Sequence, residues 1–221
     1  MRGRFITFEG GEGTGKSTHA KLLAEHLQTI GIEVVLTREP GGSPGAEIIR
    51  HVILSGAAKP LGAEAETMLF ASARDDHLNT TIRPALERGA WVICDRFADS
   101  TRVYQGIVGE VDPRLIGELE RITVGDTVPD VTFVLDVPAE VGMARANKRR
   151  GADEADRFEG ETLEFHQKLR AGFRALAKGE RKRCVLIEVT APRLEVAAQI
   201  WSVVEERLHP VPAPSVGEAA P

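Results

Sequence analysis

The chain is expected to fold as an α/β domain, a parallel five-stranded sheet flanked by helices on both faces. Three observations carry this expectation. Five short apolar runs alternate with longer helix-forming stretches. Several of the runs are near-continuous in Val, Ile and Leu, as strands covered on both faces require. A glycine-rich turn, Gly10-Gly11-Glu12-Gly13-Thr14-Gly15-Lys16-Ser17, lies between the first run and the first helical stretch. Strand–helix alternation of this kind means parallel strands joined by crossover helices.

Taken in order, the first strand is expected at Arg4–Phe8, built on Phe5-Ile6-Thr7-Phe8, with a helix at Ser17–Ile30 after the glycine turn. A second strand, Glu33–Thr37, precedes helices at Ala46–Ser55 and Ala63–Glu87. The third strand, Trp91–Asp95, is the run Trp91-Val92-Ile93-Cys94 closed by an acid, and a helix at Pro113–Thr123 follows. Val131–Val137 is the fourth strand and leads to helices at Glu140–Lys148 and Leu163–Ala177. Cys184–Val189 is the fifth, and Arg193–Leu208 the last helix. Residues 1–208 therefore read as a single domain with no internal repeat, and 209–221, rich in Pro, Ala and Gly without periodicity, as a disordered tail. In such a sheet ligands bind at the carboxyl ends of the strands, and polar motifs do follow Phe8, Leu36, Cys94 and Leu135.

Composition bounds the function. The net charge is −5, which argues against non-specific nucleic-acid binding. The two cysteines, Cys94 and Cys184, adjoin apolar runs and read as buried thiols, so no disulfide framework is expected. No stretch is long and apolar enough to span a membrane, and Met1-Arg2-Gly3-Arg4 enters the first strand without room for a signal peptide. A cytoplasmic enzyme is the expectation.

The glycine turn has the P-loop spacing G-x-x-x-x-G-K-[ST] in a strand–loop–helix setting. Glycines let backbone N–H groups converge on phosphate oxygens at a helix N-terminus. Lys16 supplies a point charge for the β- and γ-phosphates, and the Ser17 hydroxyl suits Mg2+. The ATP-binding set is therefore Gly10, Gly11, Glu12, Gly13, Thr14, Gly15, Lys16, Ser17 and Thr18.

Two arginines at strand ends, Arg38 in Thr37-Arg38-Glu39-Pro40-Gly41-Gly42 and Arg96 after Asp95, suit bidentate phosphate contacts. Together they favour a second phosphate-bearing substrate. Asp95 reads as the acid that organises Mg2+, with Asp136 as its rival; for Asp136 a helix-capping role is the alternative. The cationic segment Asn147-Lys148-Arg149-Arg150-Gly151, with Arg145 before it and Arg157 after it, reads as part of a small mobile lid over about 148–160. An arginine there would stabilise charge on a transferring phosphoryl group. The run Arg181-Lys182-Arg183 lacks a glycine hinge and reads as solvated surface.

Phe70 and Arg74 share one helix face at i, i+4, where a ring can stack on a nucleobase beside a hydrogen-bonding guanidinium. Ser100, Thr101, Tyr104 and Gln105 add hydroxyl and amide groups just past Asp95-Arg96.

Phe8-Glu9-Gly10 through Ser17, Thr37-Arg38-Glu39-Pro40-Gly41-Gly42, and Asp95-Arg96-Phe97 with Ser100-Thr101 and Tyr104-Gln105-Gly106 together resemble bacterial thymidylate kinases, from the first strand to about Leu208. The resemblance implies a P-loop fold and transfer of the ATP γ-phosphoryl group to dTMP, with Mg2+ as cofactor. It also implies that Phe70 stacks on thymine, Arg74 contacts a thymine carbonyl, and Arg38 and Arg96 hold the acceptor phosphate. By the same resemblance Tyr104 crowds the sugar 2′ position, Ser100 and Gln105 line the base pocket, and Glu12 lies near the sugar and the transferring group. The P-loop has no arginine, which is similar to the class whose catalytic arginine comes from the lid; Arg150 is the first choice and Arg149 the next. Asp75 and Asp76 depart from the small or neutral residues more usual there. Members of the family are typically homodimers, so the resemblance implies a homodimer. Two rival readings stay open at this point, a kinase for another pyrimidine nucleotide or nucleoside, and a regulatory GTPase or ATPase. Against the second, Asn147-Lys148 continues into Arg149-Arg150 and no Asn-Lys-x-Asp guanine motif occurs.

Overall fold

The structure, a computed structural model, describes residues 2–150 and 157–211, without the side chain of Arg150. Five strands, β1 (Phe5–Glu9), β2 (Val34–Arg38), β3 (Trp91–Asp95), β4 (Val131–Asp136) and β5 (Cys184–Glu188), pair in parallel in the order β2-β3-β1-β4-β5. The chain leaves central β1 toward β3 and β2, then crosses to β4 and β5 on the other side. A crevice opens at the carboxyl end of β1, where the order reverses. Register brings Phe8, Asp95 and Arg38 into one row across β1, β3 and β2.

Helices α1 (Lys16–Thr29) and α9 (Arg193–Leu208) cover one face of the sheet, where Ile6 and Phe8 meet Leu23, Leu27, Val196 and Ile200. Strand alternation sends Phe5, Thr7 and Glu9 to the opposite face. There α3 (Ala63–His77), α4 (Arg83–Glu87) and α8 (Leu163–Gly179) close the core, Leu78 and Leu86 against Phe5 and Phe173 against Val134. The stretch expected as one helix over 63–87 is continuous but widens into a π-helical turn at Leu78–Ile82. Pro84 explains the turn: it has no N–H for the helical ladder and its ring displaces the carbonyl four residues back. The remaining helices are α2 (Pro44–Leu54), α6 (Pro113–Thr123) and α7 (Ala139–Arg150), and between β3 and α6 lies α5 (Ala98–Thr101), which runs on as a π-helical segment Arg102–Val108.

Helix 98–108 is absent from the reading of the sequence, because Ser100, Thr101, Val103 and Gly106 are weak helix formers. Tertiary packing of Val103 and Tyr104 against Leu169 and Phe173 makes up the difference. Cys94 and Cys184 are buried free thiols. Among the described residues no helix is long and apolar enough to cross a membrane.

Two charged residues are placed otherwise than expected. Asp136 turns to α8, where Arg170 donates to both its oxygens at 2.8 and 2.9 Å and Arg174 adds a third contact. These bonds hold its carboxyl below the ordinary range although burial pushes the other way. The capping role is therefore replaced by an ion-pair cluster. Arg183 is not solvated surface: its guanidinium grips buried Asp99 at 2.6 and 3.0 Å and also reaches Thr132 and Glu180. Removing one partner of a buried pair leaves the other charge uncompensated, so Arg183→Ala is expected to cost about 3 kcal/mol. Urea denaturation reads this directly; an unchanged midpoint would return Arg183 to the surface.

Candidate active site

The turn after β1 is set by close packing. Gly10, Gly13 and Gly15 all take positive φ. A Cβ on Gly10 would collide with the Leu135 carbonyl oxygen, and one on Gly13 with that of Gly142 in α7. The glycines thus bring the loop against β4 and α7 as well as letting it curl. Buried Lys16 folds back to donate from Nζ to the carbonyls of Gly10 at 3.1 Å and Gly11 at 2.7 Å. Burial and neighbouring Arg96 lower its pKa to about 8. Thr14 donates to the Gly11 carbonyl at 3.0 Å, and Thr18 is exposed on the first turn of α1.

The Ser17 hydroxyl donates to Asp95 Oδ2 across the carboxyl ends of β1 and β3. Two hard oxygen donors meet here, the chemistry that Mg2+ takes. Among the described residues no three His, Cys, Asp or Glu side chains converge. A magnesium ion at Ser17 and Asp95 would therefore complete its shell with substrate phosphates and water, its usual mode. The residues fit the ion.

Arg96 is the centre of the site. Its backbone is left-handed at φ 70, a conformation costing roughly 1–2 kcal/mol for a residue with a Cβ. The cost is offset by contacts: the guanidinium pairs with Glu12, donates to the Gly10 carbonyl at 3.1 Å, and lies 5.1 Å from the Tyr104 ring centroid. The Tyr104 hydroxyl donates to Glu12 at 3.0 Å. Burial alone would raise Glu12, but Arg96, Lys16 and that hydroxyl together hold it at about 2.

Beyond Arg96 opens a cleft of about 300 Å³. Phe70, Arg74, Ser100 and Gln105 line it together with Arg38 and Arg149. Glu12 and Ser17 of the P-loop are thus gathered with sequence-predicted residues from β2, β3, α3, α7 and helix 98–108 around one cavity, while the P-loop glycines, Thr14, Lys16 and Thr18 do not line it. Arg74 is buried rather than surface-lying. Its Nε donates to Glu39 at 2.8 Å and its Nη2 to the Thr101 hydroxyl at 3.0 Å. Arg38 is half exposed and held by Glu47 at 2.9 Å. Arg149, at the end of α7, pairs with Glu159 at 2.8 Å. Arg150, the expected first choice in the lid, has its side chain outside the described residues, as do residues 151–156 entirely. Arg145 reaches the Val189 carbonyl at 3.4 Å and Arg157 turns to Glu161 at 2.5 Å, and neither lines the cleft.

Besides Arg50 and Leu54, which line the cleft, three residues at or behind it went unassigned in the sequence reading. Glu39 orients Arg74 and also meets His77 Nδ1 at 3.2 Å. Glu9 is fully buried at the end of β1. Phe158 stands 6.1 Å from Phe70 and 5.4 Å from Tyr104, centroid to centroid. Glu9 and Glu39 share a signal that was available: each carboxylate lies at the carboxyl end of an apolar strand, one closing β1 and one just after β2. Phe158 had none, because its partners come from distant elements.

A sequence profile of the family described as thymidylate kinase matches residues 8–200. A thymidylate kinase of Rhodopseudomonas palustris (strain BisB18) is 62% identical over 208 residues, covering 94% of this chain and 90% of the relative. One from Bradyrhizobium diazoefficiens is 58% identical over 212 residues, covering 96% and 93%. The crystal structure of thymidylate kinase from Ehrlichia chaffeensis superimposes with a TM-score of 0.74 at 34% identity, covering 93% of this chain and 99% of that one. A P-loop facing a cleft lined by an aromatic ring and buried arginines agrees with these likenesses over nearly the whole chain: it belongs to the thymidylate kinase family.

Proposed function

We propose the following roles in the reaction that family membership gives this chain, transfer of the γ-phosphoryl group of ATP to dTMP with formation of dTDP and ADP. The P-loop amides and Lys16 hold the ATP phosphates. Arg96 and Arg38 hold the acceptor phosphate in line, so that its oxygen attacks the γ-phosphorus while the bond to the β,γ-bridging oxygen breaks. The acceptor is already a nucleophilic anion and needs no strong general base. Phe70 stacks on thymine, Arg74 donates to a thymine carbonyl, and Ser100 and Gln105 complete the base pocket. Tyr104 crowds the 2′ position, and Glu12 sits beside the sugar. The observation that carries this reading is Arg96, which contacts the P-loop carbonyl of Gly10 while bordering the Phe70–Arg74 cleft.

Ser17 and Asp95 are the residues that would hold Mg2+; when bound, it would neutralise charge on the donor phosphates. We assign the lid to about 148–160 within a single domain spanning 1–208. It closes over the transferring group and excludes the water that would otherwise hydrolyse ATP. The tail, 212–221 of which lies outside the described residues, takes no part in this reading. A cytoplasmic homodimer is the proposed working form. Exposed Ile48 and Val52 on α2 support self-association, which sedimentation at micromolar concentration would check.

The test is ADP release with Mg-ATP and dTMP, dUMP, dCMP, dGMP or AMP offered separately. Release strongly favouring dTMP is expected. Better turnover of another monophosphate would overturn the base pocket, and release indifferent to every acceptor would overturn the kinase reading.

A further inference from the structure

Helix 98–108 lacks a capping side chain of its own, since Phe97 occupies its N-cap. A helix N-terminus leaves backbone N–H groups without partners, and a carboxylate is the group that best satisfies them. Here the carboxylate comes from another element. Glu9, at the end of β1, accepts the N–H of Phe97 at 2.8 Å and that of Ser100 at 3.2 Å through Oε1. Its Oε2 accepts the Ser100 hydroxyl at 2.6 Å. These donors all follow Arg96 in the chain and form the turn from which its guanidinium projects. Arg96 Nη1 in turn lies 3.4 Å from Ser100 Oγ.

We propose that Glu9 is a positioning residue for the acceptor phosphate. By clamping the Phe97–Ser100 turn, it holds Arg96 in its left-handed conformation with the guanidinium between P-loop and cleft. The inference rests on the reading of dTMP as acceptor.

The placement is costly for a carboxylate. Burial, followed by the charge of Asp99, pushes Glu9 up to about 8. Asp99 is itself paired with Arg183 and Arg102, so the like charge beside Glu9 is partly turned away. A buried ionisable group is weak as a stabilising device, and an apolar side chain of similar size often serves stability as well. The carboxyl group does what an apolar side chain cannot: it takes the two N–H groups and the hydroxyl on one rigid planar group and fixes their mutual positions.

Steady-state kinetics of the full chain with Glu9→Leu, which removes every acceptor of the clamp, tests this, with thermal unfolding measured alongside. The KM for dTMP is expected to rise about tenfold or more, with the KM for ATP and the kcat at saturating dTMP nearly unchanged, as loss of acceptor positioning requires. A merely structural role would lower the unfolding temperature without separating the two substrates. Glu9→Asp keeps the carboxyl group but ends one methylene short of Phe97 and Ser100. It is expected to show the same selective rise, and it carries the test if the Leu variant does not fold. Equal KM values in variant and wild type, or KM values for dTMP and ATP that rise together, would overturn the role. Wild-type enzyme with no turnover of dTMP would instead overturn the acceptor assignment itself.

Discussion

Arg149→Ala is expected to lower kcat by about a thousand-fold, the range seen when an arginine that meets transferring phosphoryl oxygens is removed. The KM for dTMP should hardly move, because the contact forms only as charge builds on the γ-phosphoryl group. Arg149 suits this role by position and by cost. It borders the cleft that holds Glu12 and Arg96, and its side chain is 63% exposed and paired with Glu159 at the edge of that cleft. An ion pair whose arginine lies largely in water contributes little, so redirecting the guanidinium toward substrate costs little. The sequence placed Arg150 first, and Arg150→Ala belongs in the same single-turnover experiment. A full rate in Arg149→Ala with a crippled Arg150→Ala would return the role to Arg150, and two normal variants would remove it from the lid.

Arg96→Ala is expected to lower kcat/KM for dTMP by roughly a thousand-fold, corresponding to about 4 kcal/mol of lost transition-state stabilisation. Two effects add. The acceptor phosphate loses a bidentate partner, and Glu12 loses the guanidinium that keeps it ionised in a buried setting. The second effect has its own signature. Glu12 is held at about 2 chiefly against burial by Arg96, so in the variant its pKa rises. Activity of the variant should then fall on the acid side at a higher pH than in the wild type. Lysine at position 96 should recover only a small part, since an ammonium cannot reproduce the planar fork. Wild-type kcat/KM in Arg96→Ala would remove Arg96 from the site.

The clamp on Arg96 also shows why some of this site was legible in advance and some was not. Lys16, Ser17 and the glycines declare themselves because a P-loop is local: eight consecutive residues contain its geometry. Asp95 and Arg38 follow from strand ends, since any parallel sheet gathers its carboxyl termini at one edge. Phe70 and Arg74 share a face by helical spacing alone. Glu9, Glu39 and Arg183 could not be assigned this way, because their partners lie far off in the chain: Ser100, Arg74 and Asp99. Composition near Arg183 reads as a solvated basic run, and only the tertiary contact between the turn entering β5 and α5 supplies the buried acid, Asp99, that pulls one member of it inward.

The amino-acid sequence by itself determined the five strands, their parallel alternation with helices, the phosphate loop and the edge on which substrates meet. Each of these rests on apolar periodicity or on residues adjacent in the chain, which act over a few ångströms of backbone. The tertiary structure alone decided which charges are paired, that weakly helical residues 98–108 form a helix, and that Arg96 is held by Glu9 and aimed by Glu12. Those outcomes depend on burial. A carboxylate in water is indifferent to its neighbours, but once the fold removes the water it must find donors, and the sheet order determines which donors are within reach.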